Sequence, residues 1–160
     1  MLFNKKETSL YSVCDGEIIP ISLISDEAIS QGILGQGYGI KPKSDYILSP
    51  TDAKVLSVAD TKHAYTLLTD DGAEILIHIG IDTVEMKGKG FTPMVSQGQR
   101  VKRGERIAIA RFDKLEEEGY KTDTAVLITN SDEFKIENMY YGFAKGGEAI
   151  ALSYCKINQG

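Results

Sequence analysis

Histidine occurs only twice in this chain, at positions 63 and 78, and the run that joins them reads HAYTLLTDDGAEILIH. Neutral imidazole is a nucleophile near physiological pH, a donor and acceptor of protons, and a metal ligand. Two imidazoles on one short run offer covalent or metal chemistry if the fold brings them together. Asp71-Gly72 lies midway between them, and Gly, often with Asp or Asn before it, accepts the positive φ of a tight hairpin turn. A two-residue loop there would pair Asp70 with Ala73, Tyr65 with His78 and His63 with Gly80. In that register the histidines share a face as diagonal neighbours, roughly 7 Å apart at Cα. A slip of one residue would turn them to opposite faces. Thr61 falls on the same face as His63, where its hydroxyl can orient the ring. The predicted site face carries Tyr65, Leu67, Leu76, His78, Gly80 and Asp82. The predicted core face carries Ala64, Leu68, Ile75, Ile77, Ile79 and Ile81.

Spacing leaves three readings of the histidines open. Side chains alternate with period two, so a shared face arises often by chance. A metal site is the second reading, although zinc normally takes a third protein ligand; Asp82 is the nearest in sequence and neither cysteine is close. The third is phosphoryl chemistry, in which one imidazole attacks and the other stabilises anionic oxygens. The chain has no Walker A run and no kinase-type glycine loop. That points away from nucleotides and towards transfer between proteins.

The elements that must position these residues read as short strands between glycine-rich turns. Alternating runs occur at 16–22, 38–41, 53–59, 63–69, 74–81, 106–111, 124–129 and 148–154, with a turn-strand-turn at 98–105. Only 26–31, with Ser25 as N-cap, and 113–119 read as helices. The expected fold is all-β: an antiparallel flattened barrel or β-sandwich with one or two short helices. The chain is expected to form a 1–9 leader followed by a single domain over 10–160.

At 42% hydrophobic and 26% charged residues, the composition is that of a soluble globular protein. A net charge of -5 disfavours nucleic acid, which selects Lys and Arg surfaces. No apolar run is long enough to insert in a membrane, and the start of the chain lacks the apolar core of a signal peptide. Cys14 and Cys155 lack any CxxC spacing and read as inert buried thiols. A reducing cytoplasm fits best.

The run from His78 to Phe91, HIGIDTVEMKGKGF, resembles the histidine motif of the glucose-type enzyme IIA family of the bacterial phosphoenolpyruvate:sugar phosphotransferase system. Thr61-Lys62-His63-Ala64-Tyr65 resembles the family's second histidine motif. Gly98–Gly104, Ile33–Gly37 and Ile40–Pro42 match further segments, so the likeness covers roughly residues 10 to 155 in order. The resemblance implies an all-β fold and a phosphoryl group carried on His78. His63 would stabilise that group, and the Thr61 hydroxyl would orient His63. The Gly80 carbonyl would hold the Nδ1 proton of His78. It implies no cofactor and no metal. The donor would be the histidine phosphocarrier HPr, and the acceptor a cysteine on the IIB domain of a membrane sugar permease. By position, Asp26, Ile29, Ile33, Leu76 and Asp82 match the family's docking rim. Ala53 stands where the family often has glycine, and Lys62 and Lys89 add positive charge near the site. Two other readings stand beside this one: a barrel-sandwich zinc hydrolase, which would need a histidine where Gly80 is, and a regulatory binding module switched by phosphorylation.

Overall fold

Alternation of apolar and polar residues over short runs makes strands that bury one face, and here those strands close over each other. The computed structural model describes residues 6–157. The chain begins with β1 (Thr8–Tyr11) and β2 (Gly16–Pro20), then a 3-10 turn at Ile21–Leu23 and helix α1 (Glu27–Ser30). There follow β3 (Gln36–Pro42), β4 (Tyr46–Leu48), β5 (Ala53–Val58), β6 (Ala64–Leu68) and β7 (Glu74–His78). A 3-10 turn at Thr83–Met86 leads to β8 (Phe91–Pro93), β9 (Arg100–Val101) and β10 (Arg106–Ala110). Helix α2 (Phe112–Glu117), β11 (Thr124–Ile128), β12 (Phe134–Met139), β13 (Gly142–Ala144) and β14 (Ile150–Lys156) complete the fold.

An eight-stranded sheet runs β13-β2-β3-β11-β7-β6-β5-β9, with three-stranded sheets β1-β14-β12 and β4-β10-β8 beside it. Every pairing is antiparallel. The all-β expectation holds, with two short α-helices. The central strand β11 is buried at all five positions, because both its faces are covered. Val126 and Ile128 enter the main core with Ile75, Ile77 and Tyr154. Ala125 and Leu127 enter a second cluster with Ile19, Ile24, Ile29 and Ile81, which lies against the sheet under the α1 segment.

All eight alternating runs carry strands. The three-residue strands β4, β8 and β13 are too short to show a period. β12 hides behind its charged and polar face, FKIENM. The strand predicted over 74–81 stops at His78, because Gly80 turns away at φ 75°. Residues 8 and 9, read as leader, instead pair with Tyr154 and Ser153 in β14; residues 1–5 of that leader lie outside the described residues. The N-cap of α1 is Asp26, not Ser25: Asp26 Oδ1 accepts the Ile29 amide at 3.1 Å.

The hairpin register also differs from the expected one. The Thr69 amide donates to the Ala73 carbonyl at 3.0 Å, so the loop holds three residues, 70 to 72. Only Gly72 among them takes a positive φ, at 89°, the usual arrangement when a glycine completes a three-residue hairpin loop. Ala64 therefore pairs with His78, and Tyr65 with Ile77. Tyr65 and Leu67, predicted on the site face, are wholly buried with Ile75, Ile77 and Ile79. Ala64 and Leu68, predicted in the core, are half-buried on the side of Leu76 and His78.

The loop is tied down by a carboxylate. Asp71 accepts the Thr8 hydroxyl at 3.0 Å, the Tyr154 hydroxyl at 3.1 Å and the Thr69 hydroxyl. These bonds join the turn of β6–β7 to β1 and β14 of another sheet. Asp71→Ala strips the buried Tyr154 hydroxyl of its acceptor and should lower stability by about 2 kcal/mol in urea titration. Tyr154→Phe, which leaves no buried donor behind, should cost clearly less. Equal losses, or none for Asp71→Ala, would refute this account of the loop.

Candidate active site

His78 is the last residue of β7, and its cross-strand neighbours are Ala64 and Ala125. Two methyl groups flank the ring, so nothing bulky crowds it from the adjacent strands. Its Nδ1 lies 2.9 Å from the Gly80 carbonyl. A carbonyl only accepts, so the ring proton sits at Nδ1 and Nε2 keeps its lone pair. That carbonyl is aimed by a turn that demands glycine. At φ 75° a side chain is strained, and a Cβ on Gly80 would stand 2.5 Å from the Thr83 methyl and 3.2 Å from the Lys121 carbonyl.

His63 reaches His78 by a route the regular ladder does not supply. By the observed register His63 would oppose Ile79 and point to the core side, away from His78. But β6 starts only at Ala64, and Lys62 just before it is left-handed at φ 63°. The chain is turning there: the Lys62 amide donates to the Ala59 carbonyl at 2.8 Å. The His63 carbonyl still accepts the Ile79 amide at 2.8 Å, while the two rings meet edge to face, centroids 5.0 Å apart and planes at 82°. The histidines do come together, as expected, but at the frayed end of the hairpin and not as diagonal neighbours on one flat face. The Thr61 hydroxyl lies 2.7 Å from His63 Nδ1. With the hydroxyl as donor, His63 carries its proton at Nε2.

His63 is 8% exposed. Burial, and secondarily the His78 ring, hold its pKa below the ordinary 6.5. His63 is therefore held towards its neutral form with a hydrogen to donate, beside the free Nε2 of His78. Among the described residues no group of three or more His, Cys, Asp and Glu side chains is gathered to hold a metal. Both cysteines are buried, and burial pushes the Cys14 thiol up to about 12.

The expected rim residues separate on inspection. Ile33 is 70% exposed, Asp82 is exposed at φ 60°, and Leu76 is half-buried. Asp26 is half-buried and spends one carboxylate oxygen on capping α1. Ile29 does not belong to the surface: it is 1% exposed and packs in the second cluster with Leu76 and Ile81. Sequence reasoning passed over Val84, which is 49% exposed one turn beyond His78, and Glu85. Glu85 lines a cleft of about 320 Å³ with Asp82, Tyr120, Lys121, Ser25 and Ile81. An exposed valine inside a motif whose other apolar residues are buried was the available signal. Lys62, Lys87 and Lys89 are exposed, and the Lys62 stem lies 3.6 Å from where a Gly88 Cβ would be.

The lowered pKa of His63 has a stability consequence of definite sign. The unfolded chain, at the ordinary 6.5, takes up its proton before the folded chain does. Stability therefore declines as pH falls through 6.5, and the decline stops below the folded value. Urea titrations from about pH 8 to about pH 5 should show a steeper loss for the parent than for His63→Gln. Parallel curves would contradict this.

The profile of one protein family, described as phosphoenolpyruvate-dependent sugar phosphotransferase system, EIIA 1, matches residues 8–134. The glucose-specific EIICBA component of Streptococcus pneumoniae is 37% identical over 133 residues, which is 83% of this chain and 18% of that much longer one. The glucose-specific EIIA component of Buchnera aphidicola is 34% identical over 151 residues, 94% of each chain. Among solved structures, the glucose permease IIA from Mycoplasma capricolum superposes with a TM-score of 0.89 at 31% identity, covering 96% of this chain and 99% of that one. On the match of family, sequence and fold together, this chain belongs to the EIIA 1 family of the phosphoenolpyruvate-dependent sugar phosphotransferase system, a phosphocarrier component of sugar uptake.

Proposed function

We propose that His78 is the residue that carries the phosphoryl group, taken from phospho-HPr and passed to a cysteine of a IIB domain of a sugar permease. The observation that carries this reading is the bond from His78 Nδ1–H to the Gly80 carbonyl, which leaves Nε2 as the nucleophile beside a second imidazole. In the first step the Nε2 lone pair forms a bond to phosphorus as the donor's phosphorus–nitrogen bond breaks. The donor imidazole leaves with those bonding electrons, and His78 keeps its Nδ1 proton. In the second step a IIB thiolate attacks the same phosphorus and the His78 ring leaves. Neither step requires a net proton transfer. His63, donating from Nε2, offsets charge on the equatorial oxygens, while Thr61 holds its ring in place.

Three things support the partners. Relatives exist as one polypeptide with IIB and IIC parts, such as the EIICBA component above and the beta-glucoside-specific EIIBCA component of Bacillus subtilis, 35% identical over 125 residues. Asp82 and Glu85, shortly after His78 in sequence, line one cleft, and Val84 between them is exposed, suited to a partner with basic and apolar side chains. Among the described residues no helix is long and apolar enough to cross a membrane, in keeping with a carrier that works in the cytoplasm and meets its permease at the surface.

With enzyme I, HPr and labelled phosphoenolpyruvate, the parent should gain one phosphoryl group and His78→Ala none. His63→Ala should accept the group but deliver it to a IIB domain about a hundredfold more slowly. Phosphorylation should also raise the pKa of His63, because a neighbouring dianion favours the imidazolium. Label persisting in His78→Ala would remove His78 from this role.

A further inference from the structure

Ile79 stands between the two halves of the site. Its amide is held by the His63 carbonyl at 2.8 Å, and its carbonyl accepts the hydroxyl of Thr83. Thr83 is wholly buried at the start of the 3-10 turn Thr83–Met86, directly after the left-handed Asp82. The two branches at its Cβ do different things. The hydroxyl reaches back four residues to Ile79, and the methyl fills the space above Gly80, 2.5 Å from where a Cβ would be. The hydroxyl thus fixes the Ile79–Gly80 peptide, directly before the one that carries the Gly80 carbonyl, and the methyl closes the space over the Gly80 Cα. The next amide, Ile81, is fixed by the Lys121 carbonyl at 3.0 Å.

We infer that Thr83 is a positioning residue for phosphoryl transfer, whose hydroxyl, through Ile79, aims the Gly80 carbonyl at His78 Nδ1 and so keeps Nε2 unprotonated and directed outward. Thr83 touches neither the phosphoryl group nor the imidazoles; it acts through the backbone of residues 79 and 80. Without the hydroxyl, the Ile79 carbonyl, buried beside a buried side chain, has to find another donor, and the chain turns to do so. The Gly80 carbonyl then leaves its line with Nδ1, and the alternative tautomer, with the proton at Nε2 and no nucleophilic lone pair there, becomes populated. The same loss reaches His63 through the amide of Ile79.

The role in transfer rests on the reading of His78 as the phosphoryl carrier; the tautomer claim does not, and the experiment separates them. Thr83→Val keeps the branched shape and removes the hydroxyl. Thr83→Ser keeps the hydroxyl and removes the methyl. Nitrogen-15 NMR of the unphosphorylated imidazoles should show His78 as the Nδ1–H tautomer in the parent and in Thr83→Ser, and a mixture with the Nε2–H form in Thr83→Val. Phosphoryl uptake from phospho-HPr should fall about tenfold in Thr83→Val, the scale expected of a displaced reacting group, and stay near the parent rate in Thr83→Ser. If Thr83→Val does not fold, Thr83→Ala against Thr83→Ser makes the same comparison with the methyl absent from both, and Thr83→Ala should be the slower with the mixed tautomer. An unchanged His78 tautomer in the variants without a hydroxyl overturns the inference, as does a Thr83→Ser protein as impaired as they are. A parent protein that takes no label at all would instead refute the phosphoryl reading and leave the tautomer result standing.

Discussion

One hydrogen bond decides what this site can do. An imidazole has two nitrogens and, when neutral, one proton. Donation from His78 Nδ1 to the Gly80 carbonyl fixes where that proton resides and therefore which nitrogen can attack. The bond needs a carbonyl pointing back at the ring from two residues downstream, which a continuing strand cannot supply. The chain must leave the sheet immediately after His78, and glycine at φ 75° allows it to do so. Much nearby follows from this departure: the left-handed Asp82, the 3-10 turn, the transfer of Ile81 from the main core to the second cluster, and the exposure of Val84.

The sheet holds this turn steady from both sides. Isoleucines 75, 77 and 79 anchor one face of the hairpin in the main core, each fully buried and each contributing about 1.5–3 kcal/mol of apolar transfer. Leu76 is held on the other face by the second cluster, where Ile29 lends its bulk from α1. A strand clamped on both faces cannot roll, so the ring at its end is presented in one orientation. At the far end of the same hairpin, Asp71 ties the turn to β1 and β14. The short span of β6 and β7 thus joins the site to the rest of the molecule through packing at its middle and hydrogen bonds at its tip.

The electrostatics of the pair follow from this burial. His63 is nearly enclosed and prefers to be neutral, and that preference is reinforced by the second ring. On the proposed reading, a phosphoryl group on His78 would reverse the balance, because its charge would favour a hydrogen bond or a proton from His63. The arrangement suits a residue that must hold the group for a time and then release it.

What the sequence by itself determined was the class of fold and the family, while the spacing of the histidines left their chemistry open. The two histidines, Thr61 and Gly80 stand out by type and close spacing, and eight alternating runs announced a β-protein because alternation reports a half-buried sheet face directly. The partition of the hairpin into core and site was not legible. A loop of two or three residues is chosen by where Asp71 finds its hydroxyl partners, and those come from β1 and β14, far along the chain. That one-residue difference exchanged Tyr65 and Leu67 with Ala64 and Leu68. It would have parted the histidines, had both stayed in the ladder. Tertiary structure decided their meeting instead, by starting β6 only at Ala64 so that the His63 ring escapes strict alternation and turns to His78 at the end of β7. Ile29 teaches the same lesson from the surface: position beside a docking motif says nothing of burial, which depends on the sheet that happens to lie beneath. Local pattern records what a residue can do, whereas the direction in which it does it is set by partners that only folding brings near.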